Sequence, residues 1–412
     1  MALNYVWIAF FVIAFIFGLF KLIILGDTEI FKKLVDGSFE SAKAAVMDVA
    51  FPLTGTMVFF LGLLNIADKA GAVRFMARKL NPLMKRIFPE VPEGHPAMGQ
   101  MVMNFSANLL GLDNAATPFG LKAMDSLQTL NPDKETATNA QIMFLVLHTS
   151  GLTIIPLTII AYRISNNSQE PASIFIPCVL GTLVTTLASV IIVGLWQKIK
   201  WDAVLFGWIL SAIAAVCALL FAVNNMTPAG KEMFSKVAGN MLLFIIIMSF
   251  IIGGLWKRIN VFDAFIEGAK EGFGVILKII PYLVGMLVGI RVFRDSGALD
   301  YVIKGLGWCI AKVGLPTDFV PALPVAIMKP FSGSGARGMM LDVFANPAYG
   351  PDSFVGKTAS IFQGSADTTF YIIALYFGSV GIKKVRYSIW AGMMADFIGV
   401  IAAIIIAYSF FK

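Results

Sequence analysis

The chain is poor in charge, histidine and cysteine, and each shortage excludes something. Charged residues make up only 14% of its 412 residues, against 58% apolar, and the mean hydropathy is +0.80. Soluble domains of ordinary composition are not built that way. No stretch between the apolar runs is long or polar enough to fold as a separate soluble domain. The two histidines, His95 and His148, and the three cysteines, Cys178, Cys217 and Cys309, form no CxxC pair and no clustered ligand set. That argues against a zinc site and leaves the cysteines as small apolar residues of helical runs. There is no G-x-S-x-G elbow, no Walker motif, and no serine or carboxylate arrangement around either histidine. The chain therefore reads as neither an enzyme nor an ATPase.

What is present is an all-α polytopic membrane protein. The formal net charge of +7 comes largely from lysine and arginine in short connectors, which suits anionic headgroups and topology better than nucleic acid. The first apolar run, roughly Tyr5 to Leu25, lacks a basic leader and a small-residue cleavage site and reads as a retained first helix. An amphipathic interfacial connector from Asp27 to Asp48 follows, then a second span near Val46 to Ile66 and a basic amphipathic helix over Ala72 to Phe88. From Ala97 to Leu130 polar residues, Gly and Pro interrupt every apolar run, so two short half-helices folded back as a re-entrant hairpin are expected. Further spans are expected near Ala140 to Tyr162, broken in mid-membrane at His148 to Pro156, Ile174 to Trp196, Ala203 to Val223 and Met241 to Trp256.

After residue 200 this order of elements recurs. An amphipathic connector (Asn260 to Gly274) leads to a span over Val275 to Phe293 and an amphipathic helix (Leu299 to Val313). A broken stretch (Val320 to Phe344), a broken span (Phe354 to Gly378) and a last helix (Ile389 to Phe411) complete it. Pro52 answers Pro281, Gly71-Ala72 answers Gly297-Ala298, and Phe105-Ser106 answers Phe331-Ser332. This reads as an internal duplication, with repeats over 1–200 and 201–412. The expected number of crossings from the first span to its counterpart is odd. The second half should then be inverted relative to the first, the architecture of many secondary transporters, with discontinuous helices meeting near the midplane.

The chemistry concentrates in the breaks. Lys329-Pro330-Phe331-Ser332-Gly333-Ser334-Gly335-Ala336-Arg337-Gly338 matches G-x-G-x-x-G only formally, since no βαβ unit surrounds it. Its glycines let backbone approach a ligand, and a helix starting there points N–H groups at an anion. Lys329, Ser332, Ser334 and Arg337 are candidate substrate contacts, as are Gln363, Ser365 and Thr368. Asp367 sits among apolar residues and must be paired, protonated or holding a cation. A structural pair with Arg337 or Lys329 and an ion-coupling role stand equally. Asp396 raises the same question. The first half offers Asn104, Ser106, Asn108, Asn114 and Thr117 as donors and acceptors for a polar solute, with Asp113 a second ion-coupling candidate. His148 reads as a satisfied interior histidine ahead of a proton relay.

Several motifs resemble a known family. His95-Pro96-Ala97-Met98-Gly99, Asn114-Ala115-Ala116-Thr117-Pro118 and Lys122-Ala123-Met124 are similar to spore maturation protein A. Ile280-Pro281-Tyr282-Leu283, Gly350-Pro351-Asp352-Ser353-Phe354 and Gln363-Gly364-Ser365-Ala366-Asp367-Thr368-Thr369 are similar to spore maturation protein B. The two, usually separate chains, look fused here. Both belong to the nucleoside-recognition or Gate group, which the resemblance links to concentrative nucleoside transporters and the membrane part of ferrous iron transporters. It implies a transporter-like fold and no particular substrate.

The expected function is a secondary transporter or exporter of a small polar metabolite, anionic or nucleoside-like, across the bacterial inner membrane. The alternative is a non-transporting membrane assembly factor or sensor using the same ligand site. No cofactor is expected beyond Na+ or H+ as coupling ion. The expected partners are a small molecule and the bilayer, with a homo-oligomer compatible and nucleic acid not.

Overall fold

Long apolar runs in a membrane can satisfy their backbone groups only internally, and this sequence does so as helix throughout. The computed structural model describes residues 2–111 and 113–412. The side chains of residues 2–6, 113–115, 118, 228, 232, 235, 236, 275, 278, 279 and 282 lie outside the description. The described chain is 79% helix without a strand.

The first half contains α1 (Ala2–Leu25), α2 (Ile30–Ala44), α3 (Phe51–Lys69), α4 (Ala72–Ile87), α5 (Pro96–Leu109), α6 (Asp113–Thr129), α7 (Asn139–Thr149), α8 (Leu157–Ser165) and α9 (Phe175–Gln197). After α10 (Ala203–Asn224) come α11 (Pro228–Trp256), α12 (Val261–Asp295), α13 (Ala298–Lys312), α14 (Leu323–Met328), α15 (Gly333–Ala345), α16 (Phe354–Gly364), α17 (Thr369–Ser379) and α18 (Ser388–Phe411). Among the described residues, six helical stretches are long and apolar enough to cross a membrane: Trp7–Leu25, Ile30–Lys69, Pro171–Gln197, Ala203–Asn224, Val237–Trp256 and Ser388–Phe411. This is a membrane protein.

Two expected boundaries are absent. The interfacial connector and second span form one continuous stretch, Ile30–Lys69, joined through a π-helical segment, Ala45–Ala50. Pro52 supplies the reason: in a regular α-helix its ring would strike the carbonyl four residues back, at Asp48, and the wider π turn there accommodates it. Likewise Asn260 to Phe293 is not a connector followed by a span but lies almost wholly in the single helix α12, with Pro281 inside it.

The breaks, by contrast, fall where Gly, Pro and polar clusters put them. α5 and α6 fold against each other, with Asn104 Nδ2–H donating to the Ala116 carbonyl at 2.6 Å. α7 stops at Thr149 and α8 resumes at Leu157. α16 stops at Gly364 and α17 begins at Thr369. Gly71 and Gly297, set opposite each other by the expected duplication, both take left-handed φ, at 86° and 88°. Each turns the chain from a long helix into an amphipathic one, a conformation that disfavours any residue with a Cβ.

The helices gather into two compact units, each drawing on both halves of the sequence. The first comprises Met1–Leu61, Thr158–Pro171 and Ala269–Gln363, and the second Gly62–Leu157, Ala172–Gly268 and Gly364–Lys412. In the first, Ala14, Ile30, Leu34 and Val292 form a small buried cluster. In the second, a larger core runs through Met101, Ala123, Phe144, Val193, Tyr376 and Phe377. Thr138 caps α7 in a reciprocal box with Gln141, and Asp202 caps α10 at the Leu205 N–H, each satisfying orphan first-turn donors.

Candidate functional site

In the second unit, the end of α7 meets the segment just before α17 through backbone. The Asp367 N–H donates to the Thr149 carbonyl at 2.8 Å, so two interrupted helices share a hydrogen bond that neither could make if continuous. Asp367 sits just before α17. Its Oδ1 accepts the Thr368 N–H at 2.8 Å, and Oδ2 lies 4.0 Å from His148 Nε2. The carboxylate is about half exposed and the imidazole almost fully buried, at 47% and 4%.

His148 is held from its other side by the α5–α6 hairpin. Its Nδ1 lies 3.0 Å from Asn104 Oδ1 and 3.1 Å from Asn108 Nδ2. Nδ1 cannot donate to Asn104 and accept from Asn108 at once, so the two amides favour opposite protonation states of that nitrogen. Tyr376 of α17 packs against the imidazole, its ring 5.0 Å from the imidazole centre and its hydroxyl 3.4 Å from Nε2. Gly120 makes room for it, since a Cβ there would fall 1.9 Å from the Tyr376 oxygen.

The structure thus brings together Asn104, Asn108 and Asp367 of the predicted residues and adds His148 and Tyr376. Ser365 and Thr368 are buried in the adjoining break. Ser106, fully buried, donates to the Val102 carbonyl of its own helix. Thr117 is half-buried on α6. The side chains of Asp113 and Asn114 lie outside the described residues. Asp396 accepts from the Thr369 hydroxyl at 2.6 Å.

The first unit holds the glycine-rich turn. Ser332 is the N-cap of α15, accepting the Gly335 N–H at 2.9 Å, with its hydroxyl 3.1 Å from that of Ser334. Gln363 Nε2 reaches the Gly333 carbonyl at 3.5 Å. Arg337 lies over the Tyr162 ring, 5.2 Å from its centre. Arg337 Nε and Gln363 Oε1 are buried without a hydrogen-bond partner among the described residues. An unmet buried polar group costs about 1–3 kcal/mol, so one donor and one acceptor beside this turn carry a desolvation cost that the described residues do not offset. Lys329 is buried at the end of α14.

Arg163, missed by sequence reading, is fully buried in the same unit. It spans Asp352 Oδ1 at 2.7 Å, Ser168 at 3.0 Å and the Pro351 carbonyl at 2.5 Å. An arginine near the end of an apolar run was the signal available for it. Nothing local marked Tyr376. Burial alone would raise the Asp352 pKa, but hydrogen bonds from Ser168 and the Gln169 N–H, with the Arg163 charge, outweigh it and hold it below the ordinary carboxylate value.

Comparison with known proteins gives the family. The profile of the family described as "Gate: Nucleoside recognition" matches residues 50–166 and 276–383, more than half of the chain. Spore maturation protein B of Bacillus subtilis (strain 168) is 47% identical over 167 residues, 40% of this chain and 91% of that protein. Spore maturation protein A of the same organism is 36% identical over 189 residues, 46% of this chain and 92% of that protein. The two cover different parts of the chain. No solved structure matches it.

Proposed function

Because this chain belongs to the nucleoside-recognition Gate family, we propose that it is a multi-pass secondary transporter of the bacterial inner membrane. It exports or imports a small polar metabolite, anionic or nucleoside-like, through two inverted repeats whose hairpins α5–α6 and α14–α15 enter the bilayer without crossing it. The observation that carries this reading is the meeting of two interrupted helices at Thr149 and Asp367, beside a half-exposed carboxylate and a buried imidazole. Irregular backbone inside a membrane protein is tolerated where it lines a cavity, and an ionisable group there marks an ion or proton path.

In this reading Asp367 takes up the coupling ion, H+ or Na+, and His148 answers its charge. A proton reaching Nε2 makes an imidazolium that pairs with the Asp367 carboxylate, and its loss returns the ring to one of the two states that Asn104 and Asn108 stabilise. Arg337 and Gln363 use their unmet polar atoms on the solute. No step is chemical.

Comparing metabolites in cells with and without the gene, then measuring flux of the responding solute in proteoliposomes, tests this. A single solute class changing on deletion and moving with an imposed ion gradient supports it. The spore-maturation names of the relatives favour a second reading, a non-transporting assembly factor or sensor, because they name a process and no cargo. Unchanged solutes and no flux would establish that reading instead.

A further inference from the structure

The second unit contains a cavity of about 1010 Å³ that the transport reading does not use. It opens where two candidate spans end, Ile30–Lys69 and Val237–Trp256. Gly71 turns the chain there from α3 into α4. The end of α11 lies close against α3, a Cβ on Gly254 falling 3.1 Å from Ile66. The cavity wall is apolar on the helix side, with Phe250 buried and Trp256 exposed. Arg74, Arg78, Lys257 and Lys69 supply the charge, and none of the described lining residues is acidic. Lys69 is already paired with Glu267, whereas Arg74, Arg78 and Lys257 are exposed. Cations at the ends of spans, an aromatic at the same level and an apolar wall above form the profile of the membrane–water interface.

We infer that this cavity binds one anionic phospholipid, its phosphate held by Arg74, Arg78 and Lys257 and its acyl chains lying along Phe250 and the exposed face of α11. The volume far exceeds what a free phosphate needs, and the apolar wall has no role for a soluble anion. Basic recesses between spanning helices at the headgroup level suit anionic lipid in this way.

Native mass spectrometry of the purified full chain, titrated with phosphatidylglycerol, phosphatidylcholine or inorganic phosphate, tests the inference. Phosphatidylglycerol should bind saturably at one site and phosphatidylcholine at least about tenfold more weakly. Substituting all three cations (Arg74→Gln, Arg78→Gln, Lys257→Gln) should weaken phosphatidylglycerol binding about a hundredfold, roughly fivefold per charge removed. A charge-matched triple in α2 (Lys32→Gln, Lys33→Gln, Lys43→Gln) should bind as the unaltered protein does. Millimolar inorganic phosphate should not displace the lipid. Wild-type affinity in the cavity variant overturns the inference, as does equal loss in the α2 variant. Full displacement by inorganic phosphate reassigns the cavity to a soluble phosphate-bearing ligand.

Discussion

Asp367 has one carboxylate oxygen engaged by the Thr368 N–H and the other facing His148, so its charge and its shape act on different neighbours. Replacing it by Asn keeps the shape and the backbone hydrogen bond but removes the charge. Asp367→Asn should therefore leave the melting temperature within a few degrees of wild type while abolishing gradient-driven flux in proteoliposomes. Gradient-driven flux at the wild-type rate would remove Asp367 from the coupling step. Gly120 is a different kind of residue, needed for space. Its missing Cβ would overlap the Tyr376 hydroxyl, so Gly120→Ala must shift α6 or α17 and should destabilise by about 1–3 kcal/mol, the usual cost of overpacking a close contact. Thermal unfolding in detergent measures this, and an unchanged midpoint would show that the two helices part freely.

At the scale of elements, the segment after α8 is tied to the start of α16 by Asp352, which accepts from Arg163, Ser168 and the Gln169 N–H. Its pKa is depressed in the folded protein, and the sign of the pH effect follows. This contribution is present above the ordinary aspartate value of 3.8 and is lost as pH falls through the lower, folded value. The wild-type melting temperature should therefore fall more steeply below about pH 4 than that of Asp352→Asn, which should start lower and lose less on acidification. Parallel pH profiles would show that the carboxylate contributes nothing here. The α14–α15 turn depends on Ser332 in a comparable way, as the cap of the Gly335 N–H. Ser332→Ala should cost about 0.5–2 kcal/mol and Ser332→Asp much less, measured as the midpoint of thermal unfolding.

At the scale of the whole molecule, inverted repeats make a topological prediction. Glu93, before α5, and Thr317, before α14, are both exposed and would occupy similar places in the proposed repeats. With Cys178, Cys217 and Cys309 replaced, single cysteines at Glu93 and Thr317 should react with an impermeant thiol reagent from opposite sides of the membrane. Labelling from one side only would replace the inverted arrangement with a parallel one. Much of the molecule was legible in its sequence. Helix throughout follows from apolar length, and the interruptions after Thr149 and Gly364 follow from local Gly, Pro and polar clusters. These are short-range effects, decided by whether a backbone group has a partner within a turn or two. The merging of α2 into α3 was less legible, because a π turn ahead of Pro52 resolves locally what reads as a boundary. Only the tertiary structure decided that His148 faces Asp367, that Tyr376, 228 positions from His148 in sequence, packs against the same imidazole, and that Arg163 is buried against Asp352. Such partners are selected by packing between distant helices, where a polar side chain brought out of water takes the complementary group that the fold places beside it. No local pattern in the sequence carries that choice.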